Sequence, residues 1–336
     1  MKALSMPFQV GWDITHSCNF RCRHCLFSSE QLSDKTSLSR DEALSFISHL
    51  AEKKVFHLSL AGGEPLLYPY IVDVIAAATS AGILVAMSTN ASLLDKALAE
   101  ELKKAGLKSL QISLDGSNSL VNDSIRGEGS FDRTMSGIKT AISSGFSVYL
   151  AIVIVKQNIH ELHEYMEFAS NLGVHGIKVQ TLIDSGLGHE NIGYTGIEES
   201  ALRLKLIELW NAKEKYRDKL EVMLPLIPEA LEQAKSEPEY FNKNTSCLGC
   251  QPGLSTVRVN SHGDVRACGG QVNAPSIGNI LEKPLQEIWK ESSEIVRWRN
   301  ASLVEDGVSN SSCGSICGNG CRSATVSNIK LQEVHS

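Results

Sequence analysis

The sequence predicts an α/β fold built on a parallel sheet, and two observations carry the prediction. Short runs of β-branched and apolar residues alternate with longer amphipathic segments through the first half of the chain. Successive runs lie roughly 30 residues apart, which is the length of a βαβ unit. Because such units cross over in the right-handed sense, their strands pair in parallel. The pattern fits a doubly wound sheet and a barrel equally well.

Six strands are predicted in this half, with helices between them. The strands are FQVGWDIT (8–15), VFHLSL (55–60), ILVAMS (83–88), SLQISL (109–114), SVYLAIVIV (147–155) and GIKVQTL (176–182). Two helix starts carry the pattern of a capping box, Ser39 with Glu42 and Asn158 with Glu161. We expect the side chain of each cap residue to accept a hydrogen bond from the backbone three residues on.

The chain changes character after the sixth strand. The composition changes at 184–196, and the apolar spacing in 197–216 predicts a helix, which is interpreted as part of a bridge between domains. Further on, the pattern around residues 262–264, His-Gly-Asp, predicts a hairpin. The expected domains are 1–195, the α/β unit; 196–244, a helical bridge; and 245–336, a small cysteine-rich α+β unit.

Composition excludes several classes of protein. The chain has 336 residues, of which 42% are hydrophobic, and a formal net charge of −6. Its acidic and basic residues are interspersed, which argues against a surface that binds nucleic-acid phosphates. No apolar run reaches the roughly 18 residues of a membrane span, and the N-terminus lacks the features of a signal peptide. We therefore expect a cytoplasmic protein without nucleic-acid or membrane partners.

Nine cysteines are many for such a protein. Their odd number and tight clustering do not fit a disulfide framework. Three lie near the N-terminus, in the stretch SCNFRCRHC (17–25). The other six lie in the last quarter of the chain: Cys247, Cys250, Cys268, Cys313, Cys317 and Cys321. The clustering indicates metal or iron-sulfur binding by both groups.

The N-terminal thiols, Cys18, Cys22 and Cys25, directly follow the first predicted strand. Three thiolates complete a tetrahedral zinc site only with a fourth ligand, which His16 or His24 would supply. Alternatively, they hold a 4Fe-4S cluster and leave one iron open for a ligand that is not protein, which implies chemistry. The position of the loop favours the cluster, because the active site of a parallel barrel lies at the carboxyl ends of its strands.

The phrase SLAGGEP (59–65) ends the second predicted strand. Gly62 and Gly63 leave backbone groups exposed, Glu64 adds a carboxylate, and Pro65 stiffens the turn. Such a loop is able to hold the ammonium group of a ligand. Taken alone, it is also compatible with an ordinary turn between a strand and a helix.

Together these two motifs resemble those of the radical S-adenosylmethionine (SAM) superfamily. The family signature CxxxCxΦC matches Cys18, Cys22, His24 and Cys25, and its SAM-amino motif matches GGEP (62–65). The resemblance implies a partial (β/α)6 barrel of the TIM type. It also implies that the methionyl amine and carboxylate of SAM bind the iron that the three thiolates leave open. His24 occupies the place near the adenine where the family usually has an aromatic ring.

Two further loops, TNA and SLDG, follow the third and fourth strands and resemble family loops that contact methionine and ribose. The resemblance implies that Asn90 contacts SAM and that Ser113 and Asp115 bond the ribose hydroxyls, although Asn and Asp also serve as simple caps or turns. Residues 121–131 resemble the "IRG" segment of members that modify peptides. Their Arg126 either pairs with the SAM carboxylate or lies at the surface.

The C-terminal stretches GDVRACGG and CGNGCR resemble the auxiliary-cluster extensions called SPASM and Twitch domains. The resemblance implies at least one auxiliary 4Fe-4S cluster, with a spacing nearer to the one-cluster Twitch arrangement. The preferred ligands are Cys250, Cys268, Cys317 and Cys321. Cys247 and Cys313 are then left over, as further ligands, as donors of a hydrogen atom to a substrate radical, or without a role. Zinc is the alternative for the paired cysteines.

The resemblance implies an enzyme that reductively cleaves SAM to a 5′-deoxyadenosyl radical, which removes hydrogen from an unactivated C–H bond. The electron requires a low-potential donor of the flavodoxin or ferredoxin type. Similar members with an auxiliary domain commonly crosslink or epimerise ribosomally made peptides, which is the first hypothesis. Because the chain begins at strand one, a peptide leader would need a separate binding protein or would dock on the barrel. Two alternatives are dehydrogenation or epimerisation of a sugar or aminocyclitol, and a non-catalytic iron-sulfur or zinc scaffold.

Overall fold

The structure, a computed structural model, describes residues 4–33, 35–225, 251–270, 272 and 275–300. Within these ranges nine strands form one sheet. They are β1 Gln9–Thr15, β2 His57–Gly62, β3 Leu84–Thr89, β4 Ser109–Ser113, β5 Ser147–Ile154, β6 Gly176–Thr181, β7 Glu221–Met223, β8 Thr256–Val259 and β9 Val265–Arg266. The strand order across the sheet is β7-β6-β5-β4-β3-β2-β1-β8-β9.

All neighbouring strands pair in parallel except β8 and β9, which are antiparallel. The six strands expected from the sequence are confirmed as β1 to β6, with ends that differ by at most two residues. A parallel sheet with helical crossovers is the fold of a partial (β/α)6 barrel. Its strands all point the same way, so their carboxyl ends meet at one rim.

Twelve helices are described. They are α1 Ser29–Ser33, α2 Arg40–Glu52, α3 Ile71–Ser80, α4 Lys96–Lys104, α5 Ser119–Arg126, α6 Ser130–Ser143, α7 Leu162–Leu172, α8 Gly186–Glu190, α9 Ile192–Thr195, α10 Glu199–Ala212, α11 Leu285–Glu291 and α12 Ser293–Asn300. Short 3-10 turns lie at Pro65–Leu67, Ile159–Glu161 and Lys213–Tyr216. Among the described residues, no helix is long and apolar enough to cross a membrane.

Alternate side chains of β1 point to opposite faces of the sheet, one of which packs against the helices. Val10, Trp12 and Ile14 have no exposed surface, and the ring of Trp12 meets that of Phe46 on α2 edge to face at 5.3 Å. Successive side chains of a strand point to opposite faces. The residues between them, such as Asp13, therefore lie on the other face of the sheet, away from this helical layer.

The two expected capping boxes have different outcomes. At α2 the box is confirmed, because Ser39 accepts from the backbone N–H of Glu42 and the Glu42 carboxylate accepts from that of Ser39. At the second site the prediction is wrong, since Asn158 makes no side-chain cap. Its amide instead donates to the backbone carbonyl oxygens of Asp115 and Val153, at 3.0 and 2.9 Å. Tertiary hydrogen bonds inside the protein outcompete the local cap at this position.

The segment 184–196, where the composition of the chain changes, contains two short helices. It forms α8 and α9 and packs on the loop that carries the N-terminal cysteines. The parts expected to follow the barrel also extend its sheet, because β7 pairs with β6 and β8 pairs with β1. The helix expected in 197–216 is present as α10 and a 3-10 turn, and the hairpin is present as β8 and β9.

Candidate active site

A cavity of about 200 Å³ lies at the carboxyl ends of the barrel strands. Its lining includes the three N-terminal thiols, Cys18, Cys22 and Cys25, which stand in the loop between β1 and α1. Further lining residues lie in the carboxyl-terminal parts of β2 to β6 or just beyond them: Gly62, Gly63, Thr89, Asn90, Ser113, Ala151, Val153, Gln180 and Thr181. The topology of the sheet therefore collects loops from six strands around the three cysteines.

The three thiols sit in a mostly buried setting. Burial raises the pKa of Cys22 to about 12 and that of Cys25 to about 11, and it also raises the pKa of Cys18. The backbone N–H of Phe20 donates to Cys18 Sγ at 3.4 Å. Because an iron-sulfur cluster takes thiolates, iron must replace the protons that burial favours.

The spacing of these groups bears on the choice between zinc and a cluster. Across the described ranges, no three His, Cys, Asp or Glu side chains converge as a single metal ion requires. Thiolates around one zinc ion lie about 3.8 Å apart, from a Zn–S bond of about 2.3 Å in tetrahedral geometry. Cys18, Cys22 and Cys25 line one cavity. Among the described residues, nothing in their placement supports the zinc alternative.

Gly62 and Gly63 are needed for the close approach of the β2 loop to the cysteine loop. Gly63 donates its N–H to the carbonyl oxygen of Thr15 at 2.7 Å, and the N–H of Glu64 reaches the carbonyl oxygen of Ser17 at 2.8 Å. A Cβ atom at either glycine would collide with these backbone carbonyls, and Gly62 also has a φ of 132°. Both glycines line the cavity, whereas Pro65 begins the 3-10 turn behind it.

Glu64 makes hydrogen bonds inside the protein, and its implied contact with SAM stays a prediction. Its side chain is fully buried and does not line the cavity. The carboxylate accepts hydrogen bonds from the N–H of Leu66 at 3.1 Å, the hydroxyl of Thr89 at 2.5 Å and the N–H of Asn90 at 2.7 Å. Burial raises the pKa of Glu64 and these three donors oppose the shift. Glu64 ties the loops after β2 and β3 together.

Asn90 lines the cavity as expected and is linked to the cysteine loop. Its side-chain amide donates to Asn19 Oδ1 at 2.8 Å, and Asn19 in turn donates to Ser92 Oγ at 2.8 Å. Asn19 is a site residue that the sequence reasoning missed. Its position directly after Cys18 was the available signal.

A buried charge network lies behind the cysteine loop. Arg126 Nε is 2.6 Å from Asp115 Oδ2, and Arg126 Nη1 donates to Cys22 Sγ at 3.7 Å. Asp115 Oδ1 accepts from the N–H of Val153 at 2.8 Å, so both carboxylate oxygens are engaged within the protein. Asp115 is fully buried and does not line the cavity, whereas Ser113 lines it. The contacts of both residues with ribose stay predictions. Arg126 lines the cavity and is 7% exposed, so it is not a surface arginine.

The electrostatics fix the protonation of this network. Burial disfavours the charge of Arg126, but Asp115 and the Cys22 thiolate raise its pKa above its usual range. Burial lowers the pKa of His24 to about 4 despite the attraction of Asp115, whose Oδ2 is 3.3 Å from His24 Nε2. His24 is therefore neutral, with its Nε2 proton assigned toward the carboxylate. Its Nδ1 is buried without a hydrogen-bond partner among the described residues, on a side chain that lines the cavity.

The segment after β6 holds the cysteine loop from the other side. Leu187 and Gly188 donate their N–H groups to the carbonyl oxygens of Phe27 and Cys25, at 3.0 and 2.8 Å. Gly186 has a φ of 54°, and a Cβ atom there would collide with the backbone of Phe27. Gly186 and Gly188, two of the four glycines in the stretch 184–196, were the signal for this contact.

Cys268 lies two residues after β9, beside a second, much smaller cavity of about 10 Å³. Asp13, His16 and Arg258 also line this cavity. The backbone N–H of Gly270 donates to Cys268 Sγ at 3.4 Å. This repeats the arrangement at Cys18, where the donor is also two residues on. The other predicted C-terminal ligands lie outside the described residues: Cys247, Cys250, Cys313, Cys317 and Cys321.

The chain matches two family profiles. The profile described as the radical SAM superfamily matches residues 12–169, and SPASM, described as an iron-sulfur cluster-binding domain, matches residues 247–322. The second match covers all six C-terminal cysteines.

Similar proteins of known name agree with these profiles. An AdoMet-dependent heme synthase of Methanosarcina barkeri is 32% identical over 302 residues, 87% of this chain and 84% of the relative. The mycofactocin maturase MftC of Mycobacterium tuberculosis is 27% identical over 336 residues, 96% of this chain and 80% of the relative. The structure of Streptococcus suis SuiB bound to its precursor peptide SuiA shares the fold, with a TM-score of 0.73 at 22% identity, over 98% of this chain and 74% of SuiB. The chain belongs to the radical SAM superfamily and carries a C-terminal domain of the SPASM type.

Proposed function

We propose that this radical SAM enzyme abstracts hydrogen from a C–H bond of a ribosomally made peptide. The observation that carries the substrate class is the likeness to a mycofactocin maturase over 96% of this chain. The fold of SuiB, which was solved with a precursor peptide bound, agrees with it. The class of bond formed, a crosslink or an epimerised centre, is not part of the proposal.

Cys18, Cys22 and Cys25 would hold the SAM-binding 4Fe-4S cluster, since they line one cavity and leave one iron without a protein ligand. When bound, the cluster and SAM supply the reductive cleavage that yields methionine and a 5′-deoxyadenosyl radical, which abstracts hydrogen from the substrate. The chain positions these groups through the backbone of Gly62 and Gly63, which lines the cavity.

The side chains around the cavity orient the ligand. His24 offers its unpartnered Nδ1 as an acceptor, which suits the exocyclic amino group of an adenine. Arg126 keeps a positive charge beside Cys22. Asn90 and Ser113 place polar atoms in the lining. These roles extend the expected SAM contacts, with Glu64 and Asp115 now acting as supports for the loops.

The substrate side of the cavity is formed after β5 and β6. Val153, Gln180, Thr181 and Ile183 line it there. Apolar groups in this position keep water away from a radical, and the two polar side chains are available to a peptide backbone. We propose that these residues contact the substrate.

The remaining expectations become parts of the same proposal. The domains would be the barrel 1–195, a bridge 196–244 and an auxiliary unit 245–336, with the sheet running through all three. Cys250, Cys268, Cys317 and Cys321 would bind an auxiliary cluster, and Cys247 and Cys313 would act as further ligands or as hydrogen donors. A flavodoxin or ferredoxin would supply the electron, and either a leader-binding protein or the barrel itself would hold a peptide leader.

A second candidate substrate is an iron tetrapyrrole. Two relatives from Methanosarcina barkeri favour it, the AdoMet-dependent heme synthase at 32% identity and an Fe-coproporphyrin III synthase at 27% identity over 85% of this chain. The sugar or aminocyclitol alternative stays a prediction. Membership of the superfamily favours an enzyme over the scaffold alternative.

The discriminating experiment measures 5′-deoxyadenosine from the anaerobically reconstituted enzyme with SAM and dithionite. The three arms add a precursor peptide encoded beside the gene, Fe-coproporphyrin III, or an aminocyclitol. The proposal expects stimulation by the peptide and a mass change in that peptide. Stimulation by the tetrapyrrole alone would replace the first candidate with the second, and an absence of SAM cleavage in all arms would contradict the radical chemistry itself.

A further inference from the structure

Three arginines surround the loop that carries the N-terminal cysteines. Arg21 and Arg23 alternate with the cysteines in this loop, and Arg133 lies on α6 beside it. Cys22 and His24, their neighbours in the chain, line the cavity, whereas the three arginines are exposed and do not line it. The loop therefore carries thiols on its inner side and guanidinium groups on its outer side.

Neutral groups hold each of these guanidinium groups in place. Arg21 donates from Nη1 to the carbonyl oxygen of Phe20 at 2.9 Å, and Arg133 lies over the ring of the same residue, 4.6 Å from its centroid. Arg23 lies over the ring of Tyr194 on α9, at 4.4 Å. Because Arg21 and Arg23 are two residues apart, their Cα atoms are separated by at most about 7 Å. The three charges thus lie along one loop.

Neighbouring acids do not neutralise these charges. Elsewhere the arginines pair with carboxylates, as Arg40 does with Asp73. Among the residues that the structure describes, no carboxylate lies within ion-pair distance of Arg21, Arg23 or Arg133. Aromatic rings and carbonyl groups restrict the side chains without cancelling their charge, so an anionic surface meets cations that are already ordered. The chain as a whole has a net charge of −6, so this positive surface is local.

We propose that Arg21, Arg23 and Arg133 form the docking surface for a negatively charged redox protein, the one-electron donor to the SAM-binding cluster. Electron transfer between proteins slows steeply with distance, and Cys22 stands between two of these arginines in the loop. Opposite charges steer such encounters, whose interfaces are small and transient. The inference rests on the radical chemistry of the proposed function and not on its peptide substrate.

The electron transfer balances for a donor of the flavodoxin type. Its anionic flavin hydroquinone loses one electron and becomes the neutral semiquinone, and the net charge of the cluster falls by one without transfer of a proton. An acidic segment of the substrate is the other anion that arginines bind. The position of the three side chains outside the cavity lining favours the donor.

The test uses the full-length reconstituted enzyme and an acidic flavodoxin in its hydroquinone form, with a reduced acidic ferredoxin as the second donor. Stopped-flow absorbance follows oxidation of the donor without peptide, at several salt concentrations, and iron is counted in every variant. R23Q/R133Q should lower the second-order rate constant about tenfold at low salt and flatten its salt dependence. R23K/R133K keeps both charges and should stay near the wild type. E128Q removes an exposed negative charge beside Arg133 and should raise the rate constant.

Lys104→Gln is the matched control for the loss of one exposed positive charge. Lys104 lies in the last turn of α4, which leads into β4 at the opposite end of the barrel, so its loss should leave the rate constant unchanged. Dithionite is a small donor that needs no docking surface. Formation of 5′-deoxyadenosine with dithionite should therefore be the same in R23Q/R133Q as in the wild type.

Equal rate constants for the wild type and R23Q/R133Q, or a wild-type rate constant that does not depend on salt with either donor, would overturn the proposal. So would equal slowing in R23K/R133K, because packing of the loop would then be the cause. A higher KM for the peptide with an unchanged donor rate would assign the arginines to the substrate instead. If the double variant loses iron, R133Q alone should still lower the rate constant, since Arg133 lies outside the loop. Failure of every peptide to stimulate SAM cleavage would contradict the peptide substrate and leave these donor rates unchanged.

Discussion

Gly188 donates its backbone N–H to the carbonyl oxygen of Cys25 at 2.8 Å, which joins the segment after the sixth barrel strand to the cluster-binding loop. Leu187 makes the same kind of bond to Phe27. Hydrogen bonds therefore link the segment that follows β6 to the cysteine loop. A substitution in this segment should change the iron content of the protein.

Gly186→Ala should loosen the cluster loop. The residue has a φ of 54°, and a Cβ atom there would lie 2.5 Å from the carbonyl oxygen of Leu26. We expect iron to fall from about eight per chain, for two 4Fe-4S clusters, toward about four. Gly193→Ala is the control, because a Cβ atom at Gly193 would meet nothing within 4 Å. Full iron content in the Gly186 variant would contradict the contact.

Arg126→Gln should destabilise the barrel strongly. It leaves the carboxylate of Asp115 buried without its charged partner, and breaking a buried pair in this way costs roughly 3–5 kcal/mol. Urea unfolding under anaerobic conditions measures the change, and the double variant R126Q/D115N should recover part of the loss. The control is Arg40→Gln. Its pair with Asp73 is about half exposed, so its loss should lower the free energy of unfolding far less than loss of the buried pair.

Glu64→Gln should weaken SAM binding indirectly, by releasing the loops after β2 and β3. Three donors point at the two carboxylate oxygens, and an amide would turn its own N–H groups toward at least one of them, at a cost of roughly 1–3 kcal/mol. Thr89→Val removes one of the donors and should weaken SAM affinity in the same direction, while Thr89→Ser should not. Equilibrium binding of SAM compares the three. A direct role for the carboxylate would be indicated if the Thr89 variants both bound SAM normally.

Lys213 should make the stability of the protein depend on pH. Burial lowers its pKa to about 8, and its ammonium group lies 3.8 Å from the ring centroid of Trp210. Between this value and the ordinary pKa of about 10.4 the unfolded chain binds more protons than the folded one, so stability rises with pH. The stability that Lys213 contributes is fully present above a pH of about 10.4. It is lost as the pH falls through the folded pKa of about 8. The urea midpoint of the wild type should therefore rise relative to that of Lys213→Met between pH 7.5 and pH 9.5. A difference between the two midpoints that does not change with pH would rule this out.

Periodicity was enough to predict β1 to β6, because strands that are buried on one face by helices carry their pattern in the sequence itself. Motif spacing also placed the cysteines and the glycine loop at one rim. It could not tell which way a carboxylate faces. The Glu64 carboxylate faces the protein interior because it accepts a hydrogen bond from a backbone N–H group that is distant in sequence. The Asp115 carboxylate does so because it binds another such N–H group and Arg126. The Asp13–Arg258 pair spans 245 positions and leaves no local signature at all.

The parallel pairing of β8 with β1 has a consequence for how the enzyme could be dissected. Four residues of β1, from Gln9 to Trp12, are in register with β8 on one side and with β2 on the other. Cutting the chain before residue 251 would leave the strand that leads to Cys18 as an uncovered edge, open to pairing with other chains. Strand β8 thus covers one edge of the barrel sheet. A barrel expressed without this strand should aggregate.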